Sequence, residues 1–239
     1  MGPEQQTSTE DRPCIMLLSI ETEAFFDEQY NRLLNALSDR ARVVRARTTQ
    51  SALNFLENNI PSAIFVTDAG LIRRKTTGIL PKLTEYVSNG GRIIFGGHFS
   101  SFAPPLKIHP LFRKNFGLPW ESASYHRTDF HLNPVAAENL GSSQQLASCY
   151  SQKALHLKNV GHAAAIYLPG RESRIQSLVF SPERITNLEE TPTAWAKVGQ
   201  GWVGYIGDVN AEEDTDTVVL ISSPLSLVRM KLLNCYYTA

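Results

Sequence analysis

The chain has 239 residues, enough for one large core with insertions on it. Basic and acidic residues both number 23, so no net charge draws it toward nucleic acid or an anionic membrane. A composition of 42% hydrophobic and 19% charged residues excludes a disordered chain, and no apolar run approaches the roughly 20 residues of a membrane span.

In chain order, Met1 to Pro13 is polar and acidic, without a basic region followed by an apolar one, so it reads as a disordered tail (residues 1–13) and not as a signal peptide. Cys14 to Ile20 is a continuous apolar run of strand length, as expected for a strand buried on both faces. Phe26, Tyr30, Leu33, Leu34 and Leu37 then form one helical stripe, with Thr22 as a plausible N-cap. A short strand over Val43 to Ala46 follows. Arg40, Arg42, Arg45 and Arg47 around it are either a local basic patch or a solvated helix-to-strand turn.

The cycle repeats with a helix over Ser51 to Asn58, a buried strand over Ala63 to Thr67, and a stripe of Leu80, Leu83, Tyr86 and Val87. Asn89-Gly90-Gly91 stops that helix, because glycine takes the left-handed C-cap conformation without strain. Arg92 to Gly96 is the next strand. Strands and helices alternating through short connections predict an α/β fold of the flavodoxin-like kind, a mostly parallel sheet with helices on both faces.

From Pro104 to about Pro192 the chain is rich in Pro, Gly and Ser, with strand candidates over Thr128 to Leu132, Ala154 to Val160, Ala163 to Leu168 and Ser177 to Phe180. This reads as an elaborated, partly antiparallel extension (104–192) within one domain spanning 14–221, since no linker sets it apart. Ala194 to Val198, the turn Gly199-Gln200-Gly201 and Trp202 to Val209 form a hairpin, and a helix begins near Glu212. Residues 222–239 are a C-terminal tail or helix. The three cysteines, Cys14, Cys149 and Cys235, have neither CxxC pairing nor metal-ligand spacing, which fits a reducing, cytoplasmic setting.

In an open parallel sheet, ligands bind outside the carboxyl ends of the strands. Glu21 and Glu23, Asp68, Gly97 to Ser101, and Asp208, Asn210, Glu212 and Glu213 follow four such strands, so four segments bring polar groups to one edge. Two glycines at the end of a strand permit a tight turn that would expose His98, a group suited to general acid/base work. The alternative is a His98 that caps a helix or braces a loop. Asp208 or Asn210 could equally cap the following helix. A nucleophilic Ser100 or Ser101 beside His98 is disfavoured, because adjacent residues rarely meet in the required geometry. Ser124, Tyr125, His126 and Arg127 could bind an anion or orient a carbonyl, or could be a solvated loop or a brace. Tyr150 to Lys153 form a third polar cluster, and His109, His131, His156 and His162 read as structural.

Four stretches, Phe65 to Leu71, Tyr86 to Phe102, Gly117 to Thr128 and Gly204 to Asp214, make the chain resemble the class I glutamine amidotransferase-like superfamily. The likeness is to its ThuA-like members, in particular a fungal branch. In that superfamily a cysteine nucleophile occupies a glycine-flanked elbow after a central strand, and a His-Pro-Glu triplet supplies the base. The match here puts His98 at the nucleophile position, and Asn210-Ala211-Glu212 keeps only the glutamate. Imidazole cannot form a thioester and an amide cannot take a proton at neutral pH, so glutamine hydrolysis is not expected. The expectation is an enzyme of altered chemistry on a small polar molecule, with His98, Asp208 and Glu212 catalytic. Glu21, Asp68, Gly97, Ser100, Ser101, Tyr125, His126 and Asn210 would bind the ligand. The alternative is a catalytically inert domain that binds a small molecule or a protein. No cofactor, metal, nucleic acid or membrane partner is expected, and a homodimer is left open.

Overall fold

A computed structural model describes residues 12–73, 78–141, 143–177, 179 and 181–224. Most of the expected 1–13 tail and the segment after residue 224 lie outside the described residues. The strands are β1 (Cys14–Leu18), β2 (Arg42–Ala46), β3 (Ala63–Val66), β4 (Arg92–Phe95), β5 (Glu121–Leu132), β6 (Cys149–Lys158), β7 (Ala165–Pro169), β8 (Arg174–Ile175), β9 (Glu183–Arg184), β10 (Thr193–Val198) and β11 (Gly201–Ile206). The helices are α1 (Phe26–Gln29), α2 (Asn31–Arg40), α3 (Thr49–Asn58), α4 (Gly70–Arg73), α5 (Ile79–Ser88), α6 (His98–Phe102), α7 (Pro105–Phe116), α8 (Pro134–Ala137) and α9 (Glu213–Ser222).

Nine strands form one sheet in the order β2-β1-β3-β4-β11-β10-β7-β5-β6. The pairs from β2 to β11 are parallel and those from β11 to β6 antiparallel. The fold is therefore α/β with a flavodoxin-like parallel half and an antiparallel extension. Strand alternation sends Met16 and Leu18 to one face of the sheet and Ile15 and Leu17 to the other, each face carrying its own apolar cluster. Each fully buried aliphatic or aromatic side chain there is worth roughly 1.5–3 kcal/mol. Both clusters draw on the antiparallel half, through Leu155, Leu157 and Ala194 on one face and Phe130, Tyr150 and Tyr167 on the other.

The far edge of the sheet folds back on its centre. Leu155 N donates to Gly207 O at 2.9 Å, Val209 N donates to Lys153 O at 3.0 Å, and the Tyr205 hydroxyl donates to Leu155 O at 2.9 Å. Outer strand β6 is thus sewn to the segment that leaves β11.

Several expectations are corrected. Thr22 caps no helix: α1 starts at Phe26, and the Thr22 hydroxyl donates to Asp68 Oδ2 at 3.3 Å instead. Pro105–Phe116, read as part of an irregular region, is a twelve-residue helix with proline at its first position and Gly117 left-handed at its end. Ser124 to Arg127 lie inside the long strand β5, not in a loop. Ser177 and Val179 carry no strand; the short strands nearby are β8 and β9, and residues 178 and 180 lie outside the described residues.

Candidate functional site

At the carboxyl edge of the parallel strands, the expected polar residues are spent on bracing the turns. Asp68 is buried, and its carboxylate accepts from Glu21 N at 3.0 Å, Gly70 N at 2.8 Å and the Thr22 hydroxyl. Burial raises its pKa above the usual carboxylate value, against those hydrogen bonds. Glu21 faces Arg73, with Nη1 3.6 Å from Oε1. Beside them, the Ser19 and Thr67 hydroxyls are hydrogen-bonded at 2.8 Å.

Asp208 does the same work after β11. Its Oδ1 accepts from Asn210 N at 2.8 Å and its Oδ2 from Glu212 N at 2.7 Å, which fixes the loop that enters α9. Burial pushes this carboxyl up as well. Asn210 is exposed, and its neighbour Ala211 is held at a positive φ of 57°. Glu212 stands at the N-cap of α9 and its carboxylate pairs with Arg127 Nη2, so the acidic group leans toward the antiparallel half.

The turn between β4 and α6 has the strand–turn–helix layout of a nucleophile elbow, in which one residue carries the strain and presents its side chain. Here the strain falls on Gly97, at φ 60° and ψ −133°, while His98 is already the first residue of α6. A Cβ at Gly97 would sit 3.2 Å from the Phe26 ring and 3.3 Å from Thr67 O. The sequence match that set His98 at the presenting position is thus one residue out in backbone terms, and the strained residue carries no side chain.

His98 is 1% exposed. Its ring packs against Phe25, Phe26, Tyr30 and Phe102, with centroids 4.8, 5.0, 5.6 and 5.2 Å away. Its Nε2 is hydrogen-bonded to the Gln29 amide oxygen at 3.0 Å and not to a carboxylate, and its Nδ1 has no partner. Burial lowers its pKa below the ordinary imidazole value, with Glu23 opposing. Ser100 is buried and donates to Ile206 O at 2.6 Å, which leaves its oxygen tied to the scaffold; Ser101 is exposed.

The second cluster lies on the extension. Tyr125 is exposed, with the Lys153 ammonium 5.2 Å from its ring centroid. His126, Arg127 and Lys153 line an open groove of about 490 Å³ that reaches Ile175, Gln176 and Glu183. Behind His126 stand residues that the sequence reading had left as structural or passed over. The His126 and His156 rings meet edge-on at 4.3 Å, and His156 Nδ1 lies 3.7 Å from Glu190 Oε2. Glu190 also accepts from Ser124 N at 3.0 Å. The His156 ring and the Ser124 donors hold its carboxyl at about 2, against desolvation. Burial and the adjacent His156 push His126 down to about 4. The available signal was alternation: Gln152, Ala154 and His156 share one face of β6, opposite Thr128 and His126 of β5.

Among the described residues, no three His, Cys, Asp or Glu side chains gather where a metal ion could sit. No described helix is long and apolar enough to cross a membrane.

No family profile matches the chain, and no curated protein matches it in sequence. Solved structures do resemble it. A ThuA-like protein from Bacteroides uniformis superposes with a TM-score of 0.56 at 10% identity, over 89% of this chain and 91% of its own. A ThuA-like protein from Parabacteroides merdae gives 0.54 at 12% identity, over 89% and 88%. A β-galactosidase from Bacillus circulans sp. alkalophilus gives 0.53 at 10% identity, over 87% of this chain but only 30% of the enzyme. At such identities the likeness is one of fold, and the fold is that of ThuA-like proteins.

Proposed function

We propose that this chain is a class I glutamine amidotransferase-like domain, of the fungal ThuA-like branch, that no longer carries acyl-transfer chemistry and serves in the cytoplasm as a small-molecule-binding domain. The observation that carries this reading is the elbow itself. Its strained residue is Gly97, which has no side chain to present, and the neighbouring His98 is closed inside four aromatic rings. A nucleophile must reach its substrate with a base at hydrogen-bond distance. At this edge, Ser100 donates to a backbone carbonyl, and Asp68 and Asp208 accept backbone amides. The polar groups hold loops in place instead of meeting a substrate.

The test is a thermal-shift screen against small polar metabolites, with each stabilising compound recovered and analysed for chemical change. Stabilisation without conversion is the expected result. Conversion of a bound compound would overturn the reading.

One observation favours a second reading, an enzyme that uses His98 as its acid/base. The imidazole is kept neutral by burial and has an unpartnered Nδ1 beneath Phe25 and Phe102, both of which are partly exposed. Under that reading, His98→Gln abolishes the conversion while binding survives.

A further inference from the structure

At His98 the hydrogen bonds fix which ring nitrogen carries the proton, and they leave the other as an acceptor without a donor. We propose that the site closed by Phe25 and Phe102 binds a small protonated amine on an apolar body, its ammonium donating to His98 Nδ1 beside the Glu23 carboxylate. The proposal rests on the binding-domain reading above and adds to it the site and the ligand class.

The Gln29 amide decides the tautomer. Its nitrogen donates to Val209 O at 3.0 Å, which turns its oxygen toward His98 Nε2, also at 3.0 Å. A flipped amide would set two carbonyl oxygens against each other. An amide oxygen only accepts, so the proton sits on Nε2. Burial keeps the imidazole neutral, and in that state the partnerless Nδ1 is a bare lone pair. A buried acceptor left without a donor costs stability, so its retention calls for a donor supplied from outside the chain.

Access is local. His98 is 1% exposed, and of the four rings around it Phe26 and Tyr30 are themselves buried. Phe25 and Phe102, 49% and 38% exposed, are therefore the rings between the imidazole and solvent, 4.8 and 5.2 Å from its centroid. A half-exposed side chain changes rotamer readily, so a swing of Phe25 uncovers Nδ1 with the backbone unmoved. The two rings then flank the incoming group and give its apolar body a wall.

Charge selects an ammonium over other donors. Glu23 is the carboxylate whose field acts on the imidazole, and it has no ion pair among the described residues. The cations of the neighbouring elements are already matched: Arg32 with Asp216, Arg45 with Asp27 and Arg73 with Glu21. A cation is drawn both by Glu23 and by the aromatic rings, and an anion is repelled. Because burial makes His98 a weak base, the shared proton stays on the amine, and the contact is a charge-assisted hydrogen bond.

The experiment is isothermal titration of the full chain at neutral pH with benzylamine, which is protonated there. Benzyl alcohol (a donor without the charge) and benzoate (the opposite charge) are the comparisons. Benzylammonium should bind, benzyl alcohol should bind at least about tenfold more weakly, and benzoate should give no heat. Glu23→Gln, a change at a partly exposed position, should weaken benzylammonium binding at least about tenfold. His98→Phe, which keeps an aromatic ring in place, should remove binding. NMR of the isotopically labelled, ligand-free protein should show His98 with a protonated Nε2 and a bare Nδ1, and the Nδ1 signal should shift when benzylammonium is added. No heat from benzylammonium, equal affinity for benzyl alcohol, full affinity in either variant, or a proton on Nδ1 overturns the proposal, while the thermal-shift screen decides the binding-domain reading separately. Binding followed by chemical change of benzylammonium would leave the site standing and refute the binding-only reading.

Discussion

At the scale of single residues, two titratable groups on the extension, His126 partly buried and Glu190 buried, pull on stability in different pH windows. His126 is depressed from 6.5 to about 4, so between those values the unfolded chain binds a proton that the folded chain refuses. Its contribution is complete above pH 6.5 and is lost as pH falls toward 4. Glu190, held at about 2 where 4.5 is ordinary, contributes fully above pH 4.5 and loses that contribution only as pH falls toward 2. Between pH 7.5 and 5 the histidine effect therefore acts without the glutamate one. Melting temperatures across that range should fall more for the wild type than for His126→Gln, which has no proton to gain. Parallel curves for the two proteins would mean that His126 titrates normally and is more open to water than its contacts indicate.

At the scale of elements, the closure of β6 onto the segment after β11 depends on a missing side chain. A Cβ on Gly207 would lie 2.1 Å from Leu155 O, the carbonyl that accepts from the Tyr205 hydroxyl, beside the hydrogen bond from Leu155 N to Gly207 O. Backbone cannot yield as a flexible side chain can, so Gly207→Ala should cost at least about 1–3 kcal/mol, read as a lower urea midpoint. An unchanged midpoint would show that β6 is not sewn to the core there. The same elements mark what could be read from sequence. Continuous apolar runs such as Ile15 to Leu18 and Ile93 to Phe95, and the Gly90 stop, announce buried parallel strands and their helices. Prolines hid α7, since Pro105 and Pro110 read as breakers although the first sits where a helix tolerates it. The edge residues were legible as an edge. That Asp68 and Asp208 face backbone amides depends on turn geometry, and that His156 meets His126 depends on register across 30 residues of chain, neither of which is carried by local pattern.

At the scale of the whole molecule, the question is whether the antiparallel extension is an addition or a part of the core. An added lobe would have its own apolar cluster and a thin seam. Instead, Leu155 and Leu157 pack in the cluster that holds Met16 and Leu18, and Phe130, Tyr150 and Tyr167 in the one that holds Ile15 and Leu17. The seam also carries a buried hydroxyl-to-carbonyl bond from Tyr205 to Leu155 and the Ala154–Asp208 bridge. Removing the extension would uncover part of both apolar clusters and strand those polar groups, so the two halves are expected to unfold together. The extension and the braced edge of the parallel strands then belong to one cooperative unit, so a ligand bound at either would stabilise the entire chain. Urea unfolding followed by tryptophan fluorescence, which reports Trp120, Trp195 and Trp202, should coincide with unfolding followed by far-ultraviolet circular dichroism. Two separated transitions would instead make the extension an independently melting lobe.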